Sequence, residues 1–354
     1  MAGRSAPVPD GVGDAAGPVA VPGDRHRSAP AITALGVHVR SGPPFPGDGT
    51  VTLLEGVDLD VRPGEVLAVV GRRGAGTSTL LSVLSGRTRP SEGVVRVLGR
   101  DPAGGAGDDD LATLPSHAAL FDHLTVEETL SLWAGLRSRP GAETGELLDL
   151  AGLTGAAHRL VRGLDHGHRQ RVQLAVTFAG AAPVVVCDEP VGGAAPGTGA
   201  ALAALLRRHR AGGGTAVVAG GRPEVLETAD GTALLAACDR VGVLRRGRLV
   251  VAAPARDVVD RFASHGGVSA LVGDAGEASS LAATLPGATF QRVGELTRVD
   301  VPDVAPERWW ALTAALTTLR EVRHHDATLA DAVRRATADR RPADVRPPDP
   351  RGTP

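Results

Sequence analysis

The sequence predicts an α/β fold that carries a helical insertion and is followed by a small α+β module. Three observations lead there. A short apolar strand runs into a glycine-rich loop and then a helix within residues 65–85. A second apolar strand, Val184–Val186, ends close to two adjacent carboxylates, Asp188 and Glu189. From about Val268 the strand and helix patterns start afresh.

The elements follow in chain order. Residues 1–30 hold five Gly and five Pro with no hydrophobic period, and read as a disordered leader. Ala31–Val39 and Val51–Val61 alternate or run apolar as strands do, and Pro63-Gly64 makes a turn. Glu65–Val70 is a buried strand. In the helix Thr77–Ser85, Leu80, Leu81 and Leu84 share one face. Residues 101–110 form an acidic loop. Thr125-Val126-Glu127-Glu128 is a capping box that opens a helix to about Leu136. Further helices are expected at Glu146–Ala151 and Arg169–Phe178, the latter stopped by Pro183. Helix 198–210, strand 215–219 and strands within 241–253 complete the layer. The last module reads as strand 268–272, helix 277–284, strands 288–293 and 296–301, helix 306–319, strand 320–324 and helix 328–339. Trp309 and Trp310 are expected to pack on its sheet. Residues 341–354 hold five Pro and read as a disordered tail.

Composition narrows the function. A chain of 354 residues suits two domains at roughly 150 residues each. The net charge of −2 implies no bulk attraction to nucleic acid or anionic membrane. Two cysteines, Cys187 and Cys238, give no disulfide framework, which suits a reducing cytosol. No apolar run reaches the ~18 residues that span a bilayer. A role at a membrane therefore implies a membrane-embedded partner.

Lysine is absent from the chain, and its absence bears on one place. Gly71-Arg72-Arg73-Gly74-Ala75-Gly76-Thr77-Ser78 fits the phosphate-binding pattern G-x-x-x-x-G-K-[ST] except that Thr77 stands where lysine is required. The backbone amides and the helix start remain able to hold an anion. Losing the charged contact removes about 1.5–3 kcal/mol. Losing a transition-state charge clamp slows chemistry by about 10²–10³. Two readings of Arg72 and Arg73 are open: a surrogate cation, or solvated loop arginines. Thr79 completes the loop. The strand ending at Asp188 and Glu189 has the Walker B arrangement. Asp188 would reach Mg²⁺ together with Ser78, and Glu189 would polarise an attacking water.

Upstream lies Leu164-Asp165-His166-Gly167-His168, followed by Gln170-Arg171-Val172-Gln173-Leu174-Ala175. With the glycine loop, Leu124–Leu130, the Asp-Glu-Pro strand and Asp239-Arg240-Val241, this order resembles the nucleotide-binding subunit of ABC transporters from about 31 to 340. The C-terminal module, ending in Thr328-Leu329-Ala330-Asp331-Ala332-Val333, is similar to the accessory domain of drug-export ATPases of the daunorubicin-resistance type. The resemblance implies ATP and Mg²⁺ as ligands, and an integral-membrane permease as partner. It implies pairing with a second ATPase subunit as homodimer or heterodimer, and a cytoplasmic place at the inner face of the membrane. Residues 31–264 would be the nucleotide-binding domain, with its helical subdomain at about 116–180. Residues 265–340 would be the accessory domain.

The resemblance also marks departures. Asp165 stands where the family's signature serine meets the partner's γ-phosphate, and it reads equally as a helix N-cap. Ser116 stands for the Q-loop glutamine; the first Gln in the chain is Gln170. Gly221 stands for the switch histidine, and Ala194-Ala195 for the D-loop Leu-Asp. Phe45 is the one candidate to stack adenine, or else a turn anchor among prolines. His166 and His168 lack companion metal ligands. The expectation is a subunit that binds Mg-ATP and hydrolyses it weakly or not at all. The alternatives are an active ATPase with an arginine surrogate, and a non-catalytic scaffold for a permease.

Overall fold

The computed structural model describes residues 29–41, 50–104, 110–114, 120–136, 144–191, 193–262, 267–285, 288–301, 304, 306–314 and 316–338. The expected leader before residue 29 and the tail from 341 lie outside the described residues, as do Phe45 and Ser116.

The first strands are β1 (Ile32–Ser41) and β2 (Val51–Val61), an antiparallel pair. β3 (Val66–Gly71) is buried along its whole length and leads through the glycine loop into α1 (Thr77–Leu84). β4 (Glu92–Val97), which the apolar pattern alone did not mark, pairs with β1. β1, β2 and β4 form one sheet, ordered β2-β1-β4. Ile32, Leu54, Val57, Leu80, Leu81 and Leu84 are fully buried between this sheet and the main one. Each such side chain contributes about 1.5–3 kcal/mol, which is why the leucine face of α1 points inward.

β5 (Leu111–Leu114) is followed by a helical part made of α2 (Val126–Gly135), α3 (Thr144–Leu150) and α4 (His166–Ala179). The expected capping box opens α2: Thr125 Oγ1 accepts from the Glu128 amide, and the Glu128 carboxylate accepts from the Thr125 amide. α4 ends at Gly180, before Pro183 is reached. β6 (Val184–Cys187), α5 (Thr198–Ala211), β7 (Thr215–Gly221), α6 (Pro223–Leu226), α7 (Ala229–Leu235), β8 (Arg240–Arg245), β9 (Arg248–Ala253) and α8 (Ala255–Phe262) follow. The main sheet runs β5-β6-β7-β3-β8-β9, parallel except for β9. The carboxyl ends of β3, β6 and β7 therefore share one edge, where ligands of open parallel sheets bind.

The last module contains β10 (Gly267–Val272), α9 (Ala275–Thr284), β11 (Thr289–Val293), β12 (Leu296–Val301), α10 (Pro306–Thr313) and β13 (Leu319–His325). Its antiparallel order, β11-β12-β10-β13, is the split βαβ arrangement. α10 stops at Thr313, short of the expected 319, because Leu319 already pairs with Val272. Trp309 is fully buried in the module core, whereas Trp310 is 55% exposed, so only one of the two tryptophans packs as expected.

The final helix, α11 (Leu329–Thr337), leaves that module. Its Ala330, Ala332, Val333 and Ala336 pack with Leu226, Val241, Val243 and Val258 of the first domain. Arg334 ties it to Glu227 and also pairs with Asp331 one turn earlier in the same helix. The βαββαβ unit is thus Gly267–His325, and α11, expected within an accessory domain of 265–340, completes the core of the first domain.

Candidate nucleotide site

The cradle is built from backbone. A Cβ on Gly71 would lie 2.8 Å from both the Ala75 Cβ and the Leu244 carbonyl oxygen. Gly76 has φ 101, and a Cβ there would meet the Leu53 carbonyl at 2.8 Å. Only glycine fits either place. The Ala75 amide donates to the Arg72 carbonyl (2.9 Å), and the Ala75 carbonyl accepts from the Gly247 amide (2.9 Å). α1 starts without a side-chain cap. Its first amides are left to an outside acceptor, and the helix dipole favours an anion there.

The cleft above this loop has a volume of about 660 Å³. Gly71, Arg72, Arg73, Gly74, Gly76, Thr77, Ser78, Thr79 and Glu189 all face it. Ala75 is buried behind the loop. Val51, Thr52 and Leu53 form a second wall, and Gly221, Arg222 and Arg246 a third. No local sequence pattern marks Arg222 or Arg246 as cleft residues. The only signal for them was that each follows directly on a strand, next to a glycine.

β6 is fully buried between β5 and β7 and delivers the acidic pair to the same edge. Burial and the neighbouring Asp188 push the Cys187 thiol up to about 12, so it stays a neutral core group. Glu189 is exposed, with φ 44. Asp188 Oδ1 is buried and, among the described residues, has no hydrogen-bond partner. An orphaned carboxylate oxygen is costly unless a cation or donor arrives. With the Ser78 hydroxyl, it fits the hard oxygen ligands that Mg²⁺ prefers.

The signature residues stand elsewhere. Leu164 is buried, and Asp165 and His166 are exposed. Asp165 caps α4: its Oδ1 accepts from the His168 amide (2.8 Å), and its Oδ2 lies 2.7 Å from His168 Nδ1. The hydrogen bonds from His168 hold the Asp165 carboxyl below the usual range. Among the described residues no cluster of His, Cys, Asp and Glu forms a metal site. Gly167 lies so close to the D-loop position that a Cβ would come within 2.6 Å of the Ala195 Cβ. The Ala195 amide donates to Gln170 Oε1 (3.0 Å), tying α4 to the segment after the acidic pair. None of these signature residues faces the cleft.

The family described as ABC transporter matches residues 54–192. The methionine import ATP-binding protein MetN of Caulobacter vibrioides is 33% identical over 299 residues, covering 78% of this chain and 86% of that protein. The chain belongs to the ABC transporter ATP-binding family. ATP-binding cassettes of this family take ATP with Mg²⁺. The sulfate/thiosulfate import ATP-binding protein CysA of Nocardia farcinica is 34% identical over 222 residues, covering 61% of the cassette chain. The chain spans 65% of the length of that CysA and 57% of MetN from Mesorhizobium japonicum. A dimeric ATP-binding cassette in a post-hydrolysis state, bound to ADP and Pi, shares the fold. The TM-score is 0.52 at 22% identity, over 63% of this chain and 98% of that one. An ATP-binding subunit of an ABC transporter aligns with TM-score 0.51 at 24% identity, over 66% and 93%.

Proposed function

We propose that this cassette binds Mg-ATP and hydrolyses it weakly or not at all, as the ATP-binding subunit of a transport system with an integral-membrane permease. The observation that carries the reading is the split within one cleft. The reading is supported by the glycine cradle, Ser78 and Glu189 lining that cleft and by the unpartnered Oδ1 of Asp188 beside Glu189, while Thr77 offers the phosphates no charge. Ala195 and Gly221 add no side-chain chemistry where the family uses polar groups, and Asp165 presents a carboxylate. No described helix is long and apolar enough to cross a membrane, so transport requires the permease. Pairing with a second cassette is part of this reading, and so is a place at the inner face of the membrane.

For the direction of transport, the small C-terminal module supports export, through its likeness to drug-export subunits. The second reading is import, favoured by the names of the relatives, which are import ATP-binding proteins. The test is calorimetric titration with Mg-ATP beside a steady-state ATPase assay. Binding with turnover at least ~10²-fold below that of a Thr77→Lys variant is the expected result. Fast turnover that Glu189→Gln abolishes sinks the proposal.

A further inference from the structure

The cleft carries four arginines among the described residues: Arg72 and Arg73 on the loop, Arg222 directly after β7 and Arg246 directly after β8. In the main sheet β7 lies between β3, which feeds the glycine loop, and β6, which delivers Asp188 and Glu189. Register pairs Gly221 with Val70, so the next residue, Arg222, stands at the sheet edge between the loop and Glu189. Arg222 lines the same cleft as Gly76, Thr77, Ser78 and Glu189. Its backbone is fixed, because it is the N-cap of α6, Pro223 follows, and its carbonyl accepts from the Val225 amide at 2.9 Å. Its side chain is exposed, and among the described residues the guanidinium has no ion-pair partner. Arg72 and Arg73 are also exposed and face the cleft, but they sit on the loop itself, ahead of Gly74.

We infer that Arg222 is the cation that holds the terminal phosphate of ATP in this cassette, standing in from the neighbouring strand for the charge that Thr77 lacks. The inference rests on the Mg-ATP reading above. Guanidinium stays charged at all working pH values and forks onto two phosphate oxygens, which suits a site approached from the side. A contact to the terminal phosphate stabilises ATP and leaves ADP nearly untouched. That asymmetry separates it from a role in shaping α6.

The experiment titrates the full chain with Mg-ATP and with Mg-ADP by calorimetry. The proteins are the unmodified chain, Arg222→Gln, Arg222→Lys and the double Arg72→Gln/Arg73→Gln variant, with melting curves in the absence of nucleotide as the folding control. Arg222→Gln is expected to weaken Mg-ATP about ten- to a hundredfold with Mg-ADP little changed, the loss of one charged hydrogen-bonded contact. Arg222→Lys, which keeps the charge and loses the fork, should recover part of the loss. Equal weakening of ATP and ADP, or no weakening, overturns the inference, as does an ATP-selective loss found only in the Arg72/Arg73 variant. Absence of Mg-ATP binding by the unmodified chain is a different result. It removes the functional reading itself, and Arg222 with it.

Discussion

Two helix starts in this molecule are built in opposite ways. α1 opens at Gly76 with no side chain over its first amides, and the loop before it curls so that those amides face a cleft. α4 opens at Asp165, whose carboxylate takes the His168 amide and lies beside the His168 ring. In the family to which the chain belongs, both starts are phosphate-facing, one within the subunit and one across the pair. Here the first is left open to an anion, and the second is already filled by an anion of its own. The difference teaches that helix polarity alone does not make a phosphate site. Leaving the amides unsatisfied is what reserves the place for a ligand.

The harshest way to break the comparison is to close the open start. Gly76→Val puts a branched side chain at φ 101 against the Leu53 carbonyl. The strained backbone alone costs about 1–3 kcal/mol. Mg-ATP binding is expected to vanish in calorimetry, with a lowered urea midpoint. The opposite change sharpens it: Thr77→Lys adds the missing charge and should tighten Mg-ATP by about 1.5–3 kcal/mol, read by the same titration. At the closed start, Asp165→Ser removes the carboxylate and keeps a capping oxygen. Placed in a Thr77→Lys, Glu189→Gln chain, it should allow ATP-dependent self-association in sedimentation velocity, with the Asp165 parent remaining monomeric.

The smallest effect is a pH dependence. The folded-state pKa of Asp165 lies below its ordinary 3.8. Its cap therefore stabilises the fold above that value, and the contribution is lost as the pH falls through the depressed pKa. Asp165→Ala should lower the melting temperature by a few degrees at neutral pH. The gap between the two proteins should close as the buffer is taken well below 3.8. A gap that persists in acid would show that the helix start is stabilised by something other than the carboxylate.

What the sequence made legible is what the backbone and apolar periodicity dictate. The strand, loop and helix at 66–84, the capping box at Thr125, the N-cap at Asp165 and the acidic edge at Asp188 all stand where the patterns put them. β4 was not legible, since only Val95 and Val97 of its six residues are buried and the rest of the strand is exposed. α6 is four residues long and carries no period to read. Arg222 and Arg246 reach the cleft only through strand pairing, a contact between distant segments that local pattern does not encode. The short α10 has the same cause: pairing of Leu319 with Val272 overrode a helical run that propensity favoured.

The return of α11 to the first domain gives the C-terminal module two moorings. One is α8, which precedes it, and the other is α11, which follows; both share the cluster around Val241 and Val258. Topologically the module is a guest inserted into a host, with the host's last piece supplied after it. Cutting the chain at the apparent border near residue 264 would strip a buried helix from the first domain and bare Leu226, the residue that ends α6. A shorter working unit would have to keep α11, rejoined to α8 by a linker in place of the module.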